Sequence, residues 1–444
     1  MARFTPHTDR EIKDMLSGIG VDSIERLFDE IPASLRAKSF NLPPGVPERE
    51  AARIVVGLAT RNRIDRVSFL GGGYYDHYIP AAVDAVSSRA EFYTAYTPYQ
   101  PEASQGTLQA IFEYQTMIAS LTGLDYANAS LYDGGTALYE AIAMAVRSTN
   151  RRRIVIDAGV NPLYRRIAST YCINLDVAIE ESELDDVRAD QVRIASLCDG
   201  DTAAIVVQNP NFFGTVDDFT DLFAEARSRG IVTIIVFYPI SLGVLKSPGE
   251  MNADIAVGEG QSLGLPLSFG GPYLGLMAVE KKMVRRMPGR IVGETVDREG
   301  RRAFVLTLQA REQHIRREKA TSNICSNQAL CALRATVFLA LLGKKGFRDT
   351  ALLNMERSAM LRNLMAGIKG VRVKSVPTFN EFTVELTIPA PDFVARMRER
   401  GFDAGIPASI FYPGRERELI LCATEKRTEE EIRSFAAAAA EVLT

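Results

Sequence analysis

The 444-residue chain has no tryptophan, three histidines and five cysteines, and each scarcity removes a class of function. The histidines (7, 77, 314) and cysteines (172, 198, 325, 331, 422) are scattered, without a C-x-x-C pair. A zinc centre needs three or four converging N or S ligands, so no metal is expected. An odd, dispersed set of cysteines argues for reduced thiols rather than a disulfide framework. Positive charge is not in surplus: 52 Lys and Arg against 55 Asp and Glu give a net charge of -3, which leaves no broad basic surface for nucleic-acid phosphates. Long apolar runs are missing too. A run such as IVTIIVF at 231–237 falls well short of the ~20 residues of a membrane span, and the polar start MARFTPHTDR lacks a signal-peptide core. These absences point to a cytoplasmic protein that binds neither nucleic acid nor membrane.

What is present has an order. The length calls for two or three packed units. Residues 1–62 read as an N-terminal helical arm. Thr8 and Glu11 form a capping-box pattern, and Ile12, Met15, Leu16 and Ile19 follow at helical spacing. A second helix is expected from Asp22, through Ile24, Leu27, Phe28 and Ile31, and a third after Pro47. Residues 63–325 alternate apolar strands (154–158, 175–179, 204–207, 232–237) with helices (162–173, 218–229), which predicts a large α/β domain around a mostly parallel sheet. Residues 326–444 open with helices at 326–343 and 347–368. Strands at 371–374, 381–386 and 418–422 and helices near 391–400 and from Thr428 complete a small C-terminal α+β domain. The run Arg151-Arg152-Arg153 is expected to be a solvated turn.

The stretch GEGQSLGLPLSFGGP at 258–272 lies between two apolar runs. A strand, a Gly/Ser/Pro-rich crossing and a second strand are the usual setting for the lysine that holds pyridoxal phosphate, yet no lysine is there. Upstream, SLYDGGT at 130–136 puts Gly134, Gly135 and Thr136 at a helix start, where N–H groups and the helix dipole favour an anion such as the cofactor phosphate. A tight turn with Thr136 near the cap explains the same residues. The strand at 232–237 is followed by Tyr238, where such enzymes place an aspartate to keep the pyridine nitrogen protonated.

The segment FYTAYTPYQPEASQG at 92–106 has no helical or alternating periodicity, but carries three tyrosines and two prolines. A stiff aromatic loop of this kind is expected to line a pocket or an interface. His77 follows GGGYYD and is either a general base or a structural histidine. Thr321, Ser322 and Asn323 lie at the domain junction and either cap the next helix or touch a ligand or interface.

Together, DHYIP (76–80), YTAYTPYQPEASQG (93–106), NASLYDGGT (128–136), the stretch 258–272, REQHIRREKATSNIC (311–325) and TEKR (424–427) resemble the P-protein, or glycine decarboxylase, of the glycine cleavage system. The likeness is to subunit 1 (alpha) of the two-chain form and covers nearly the whole chain. It implies a fold-type-I, aspartate-aminotransferase-like, pyridoxal-phosphate-dependent transferase architecture. Counting back from Pro272 puts Gln261 at the place of the Schiff-base lysine, so the chain resembles a duplicated copy that lost it. The resemblance further implies an α2β2 assembly in which the beta subunit holds pyridoxal phosphate covalently. The implied reaction decarboxylates glycine, releases CO2 and transfers the aminomethyl group to the lipoyl arm of the H-protein. Tyr96, Tyr99, Glu102, Ser104, Gln105 and His77 are then expected to line the active site, and Gly134, Gly135 and Thr136 to be a vestigial cofactor seat. The chain departs from the family at Tyr238, where members often carry aspartate. Two alternatives compete: a stand-alone lyase or transaminase, and a scaffolding or regulatory pseudoenzyme. The first would need a lysine at a strand end, whereas Lys246, Lys281 and Lys282 fall in polar turns.

Overall fold

The computed structural model describes residues 6–444; the first five residues of the polar start lie outside the described ones. Residues 6–64 are one compact unit and Asp65–Thr444 another. The first begins with a helix, Asp9–Ile19, whose capping box closes as the sequence predicts: Thr8 and Glu11 satisfy each other's backbone N–H groups, and Gly20 ends the helix in the left-handed region. The helix after Pro47 runs Glu48–Ala59. The expected middle helix is only a 3-10 segment, Ile24–Phe28. Pro32, Pro43 and Pro44 interrupt the chain beyond it, and so short an apolar pattern has no further turns to propagate into.

In the second unit a seven-stranded sheet has the order Tyr126–Ala127, Gly275–Val279, Ile255–Glu259, Val232–Phe237, Thr202–Asn209, Arg153–Asp157, Ala178–Ser182. The last five strands pair in parallel and the first two join antiparallel. The central strands are buried on both faces, which is why they read as unbroken Val/Ile runs. The helices Gly134–Thr149 and Pro162–Cys172 share the Ile154/Ile156 side of the core, and Thr220–Ser228 packs with the Val155/Ile205 side. The edge strand falls three residues later than the expected 175–179. The three arginines at 151–153 are not a free turn either. Arg151 donates to the carbonyls of Thr202, Arg229 and Gly230, and Arg153 pairs with Glu180 and Asp199, so they fasten neighbouring strands.

The long helix Ala329–Ala366 breaks at Gly343, whose φ is +58°, which gives the two expected helices. Its C-terminal half, with Ala390–Glu399 and Glu429–Leu443, packs on an antiparallel sheet ordered Val371–Val373, Glu381–Leu386, Glu418–Cys422, Ile406–Pro407. Phe382, Phe393 and Phe435 are fully buried there; truncating such a ring to alanine costs about 3–5 kcal/mol. Phe69, far earlier in the chain, joins this core, and Val67–Ser68 pairs in parallel with Phe402–Asp403. The segment that follows, 71–77, is thereby drawn to the C-terminal ends of the parallel strands, where doubly wound sheets place their sites.

Candidate functional site

Strand Ile255–Glu259 ends beside the crossing that carries Gln261. The Gln261 side chain is 2% exposed, and its amide is saturated by backbone. Its Oε1 accepts from the Tyr75 N–H at 2.9 Å, and its Nε2 donates to the carbonyls of Tyr75 (3.0 Å) and Leu265 (2.8 Å). A neutral amide thus ties the crossing to the Gly-rich turn. It offers no nucleophile.

Two residues earlier, the Glu259 carboxyl faces the first turn of helix Gly134–Thr149. Its Oε2 accepts from the Gly134 N–H at 3.0 Å, and its Oε1 from Gln261 N (3.0 Å) and Leu274 N (2.9 Å). Burial pushes this carboxyl up to about 8, and the three N–H groups oppose that rise. Asp133 caps the same turn, accepting from Thr136 N at 2.8 Å. Gly134 has no room for a side chain: a Cβ there would lie 2.7 Å from the Tyr164 hydroxyl and 3.1 Å from Glu259 Cβ. Tyr74 is hydrogen-bonded to Tyr164 and stacks on Tyr273 at 4.6 Å. Outside them opens a cleft of about 850 Å³, lined by Tyr74, Tyr132, Asp133, Tyr164, Tyr171 and Tyr273 among others.

At the end of strand Val232–Phe237, the Tyr238 hydroxyl is hydrogen-bonded to His77 Nε2, and His77 Nδ1 meets Glu425 at 2.7 Å. A carboxylate on Nδ1 fixes the tautomer that carries hydrogen there, so Nε2 accepts from the tyrosine. Burial works against the Glu425 charge, but the bonds from His77, from the Tyr78 N–H and from Asn354 hold its carboxyl below the usual range. The Tyr238 ring lies 4.3 Å from that of Tyr75, whose hydroxyl donates to Glu381 at 2.6 Å. Glu381 also takes the Gly72 N–H at 2.6 Å, and burial raises its carboxyl to about 7. Both His77 ring nitrogens are engaged and the residue is buried, so it has no ring nitrogen free to act on a substrate.

The tyrosine loop lies apart from these contacts. Tyr96 is 78% exposed, Tyr99 is half-exposed, and Glu102 is exposed. Arg290 bonds both the Tyr99 hydroxyl (3.2 Å) and the Cys325 carbonyl (2.6 Å), so it joins the loop to the segment holding Thr321, Ser322 and Asn323. In that segment Ser322 donates to Glu140 at 2.9 Å. Ser104 stands at the N-cap of helix Gln105–Thr122 without a side-chain cap bond. Gln105 pairs with the Phe304 backbone through both its amide groups, at 2.9 Å each, which anchors the loop's end. Lys246 pairs with Asp218 and Lys282 with Asp254. No cluster of three His, Cys, Asp or Glu side chains suited to a metal, and no helix long and apolar enough to cross a membrane, occurs among the described residues.

Sequence reasoning reached Gln261, Tyr238 and His77 but passed over Glu259, Tyr75, Glu381 and Glu425. Glu259 stood in the quoted 258–272 stretch and Glu425 in TEKR, so charged residues inside otherwise apolar or turn motifs were the available signal. A pyridoxal phosphate fits poorly with these groups. The crossing 258–272 carries no lysine and a saturated amide at Gln261, the helix start faces two carboxyls, and Tyr238 is engaged by His77.

The family model "Glycine cleavage system P-protein" matches residues 2–438. A probable glycine dehydrogenase (decarboxylating) subunit 1 from Citrifermentans bemidjiense is 55% identical over 99% of both chains. One of the same description from Nitratidesulfovibrio vulgaris is 56% identical over 97% of both. Among solved structures, a glycine decarboxylase (P-protein) of the glycine cleavage system in inhibitor-bound form superposes with a TM-score of 0.92 at 43% identity over the full length of both chains. A Burkholderia pseudomallei sphingosine-1-phosphate lyase (TM-score 0.67, 16% identity, 92% and 93% covered) and a Lactobacillus brevis glutamate decarboxylase (0.66, 14%, 94% and 97%) share the fold.

Proposed function

Because the chain belongs to the glycine cleavage system P-protein family, we propose that it takes the subunit 1 role in glycine decarboxylation and depends on a partner subunit for the covalently held cofactor. The carrying observation is Gln261: at the crossing where a Schiff-base lysine would stand, a buried amide spends all three of its hydrogen bonds on the backbone of Tyr75 and Leu265. Pyridoxal phosphate held by the partner would supply the electron sink for loss of CO2. This chain's part is positioning. The prolines at 98 and 101 and the Gln105 anchor limit the freedom of the tyrosine loop before glycine arrives, so less entropy is lost on closing the partner's site over it. Tyr96, with most of its surface bare, is the side chain offered outward; Glu102, Thr321 and Asn323 are exposed as well and Ser104 is half-buried. The small N-terminal unit, in whose helices only Leu16 is buried, likewise carries little core of its own and suits a role in assembly. In this reading two copies of each subunit form an α2β2 complex in the cytoplasm, and the aminomethyl group passes to the lipoyl arm of the H-protein.

Glycine–CO2 exchange tests the reading, measured for this chain alone, the lysine-bearing partner alone and the mixture, with lipoylated H-protein present. The mixture should exchange while this chain alone does not and shows no visible Schiff-base absorbance with pyridoxal phosphate. Exchange by this chain alone would return the stand-alone enzyme to favour.

A further inference from the structure

We infer that the Glu259 carboxyl takes the place of a bound anion at the start of helix Gly134–Thr149, its oxygens accepting the N–H groups that an anion would take, and that it bars phosphate esters from this chain. The inference concerns this chain's own helix and holds whether or not a partner carries a cofactor.

A helix start presents unpaired N–H groups and partial positive charge, and draws an anion. Here a side chain supplies it. Glu259 comes off the end of a central strand, and its two oxygens take three backbone N–H groups at 2.9–3.0 Å, from Gly134, Gln261 and Leu274. Those donors belong to the helix start, the crossing and the returning strand, so one carboxyl gathers the three elements that would enclose a cofactor phosphate. The titratable groups around it are Asp133, Tyr74, Tyr114, Tyr164, Tyr273 and Cys331, none of them cationic. An anion arriving at this turn would meet Asp133 and N–H groups already taken by Glu259; of the residues lining the cleft outside, Arg166 alone is a cation. Space is closed as well, since even a methyl group on Gly134 would strike the Tyr164 hydroxyl. Burial of a carboxyl this deep is costly, and the N–H groups offset part of that cost. The seat is therefore kept as a structural joint and not as an open pocket.

The test is thermal unfolding of the full chain at pH 9, where Glu259 carries its charge, with phosphate, acetate or chloride at equal ionic strength. The parent should unfold at the same temperature in all three. Glu259→Ala should unfold at a lower temperature and recover at least half the loss, saturably, with acetate or phosphate but not chloride. A phosphate-specific rise in the parent, or an alanine variant indifferent to every anion, would overturn the inference. Should the alanine variant not fold, Glu259→Gln keeps the volume and removes the titration. The parent should lose stability between pH 6 and 9 more steeply than this variant, and identical slopes would equally overturn it.

Discussion

Placing a lysine at position 261 is the most direct challenge to the proposed division of labour. In Gln261→Lys the ammonium can still donate to the carbonyls of Tyr75 and Leu265, but it accepts nothing, so the Tyr75 N–H now bonded to Gln261 loses its partner. An orphaned buried N–H costs about 1–3 kcal/mol. A buried cation costs more unless Glu259 ionises to face it. Taking roughly 2–4 kcal/mol in all, and an unfolding entropy that scales with the roughly 380 residues of the Asp65–Thr444 unit, the midpoint should fall by about 2–5 °C. Activity should not appear. Tyr238 is engaged with His77, and burial keeps its phenol well above its usual range and so neutral, which leaves no carboxylate to hold a pyridine nitrogen protonated. The assays are a thermal melt, the visible spectrum with pyridoxal phosphate, and glycine–CO2 exchange by the variant alone. Appreciable decarboxylation by that variant, or an unchanged melt, would refute the reasoning.

Other outcomes follow from the same geometry. Burial lifts Glu259 to about 8 and Glu381, Glu140 and Asp157 to about 7. The folded chain therefore holds protons that the unfolded chain, with carboxyls near pH 4, has released. Stability is full below about pH 4, falls progressively as pH rises from there and levels off above 7–8, and Glu381→Gln should flatten part of the slope in melts from pH 5 to 9; a parent that gains stability over that interval contradicts this. Tyr238→Phe deprives His77 Nε2 of its partner and should cost about 1–2 kcal/mol in denaturant unfolding without loosening subunit association; an unaffected midpoint would show that the Tyr238–His77–Glu425 chain is not a structural unit. Tyr96→Phe and Tyr99→Phe, each reconstituted with the partner, should assemble normally but lower CO2 exchange about tenfold if a phenolic hydrogen bond serves the transition state. Full turnover by both would make the loop an interface element.

The sequence made the strands most legible where the apolar pattern is strong, as a near-continuous run in Val232–Phe237 and Glu418–Cys422 and as alternation in Glu381–Leu386, and all three lie at their expected positions. It misled where a pattern had no tertiary support. The apolar spacing from Ile24 to Ile31 gave only a 3-10 segment, and Leu175 and Val177 lie outside the strand that begins at Ala178. The hairpin Ile291–Val296 with Arg302–Thr307 went unseen because its turn region, TVDREGRRA, is charged and exposed. Within the site, register with Pro272 singled out Gln261. Glu381, however, meets Tyr75 across 306 positions of sequence, and Glu425 meets His77 across 348; no local pattern carries such contacts.

The replacements share one physical logic. A crossing without a lysine, a helix start without a phosphate and a strand end without an aspartate would each leave buried polar groups unpaired, at about 1–3 kcal/mol apiece. Each is instead answered from within the chain: Gln261 closes on Tyr75, Glu259 on Gly134, and Tyr238 on His77 and through it Glu425. The answers are linked, because Tyr75 bonds Gln261 by its backbone, lies against the Tyr238 ring, and passes its hydroxyl proton toward Glu381. The 71–77 turn is thus the common tie of all but the Glu259 joint, and Glu259 reaches it through the Gln261 N–H. Reverting one member breaks bonds that the others need, so a single substitution meets the stability cost before any chemistry. A site closed in this way is rigid without being reactive, which suits the positioning role proposed for this chain.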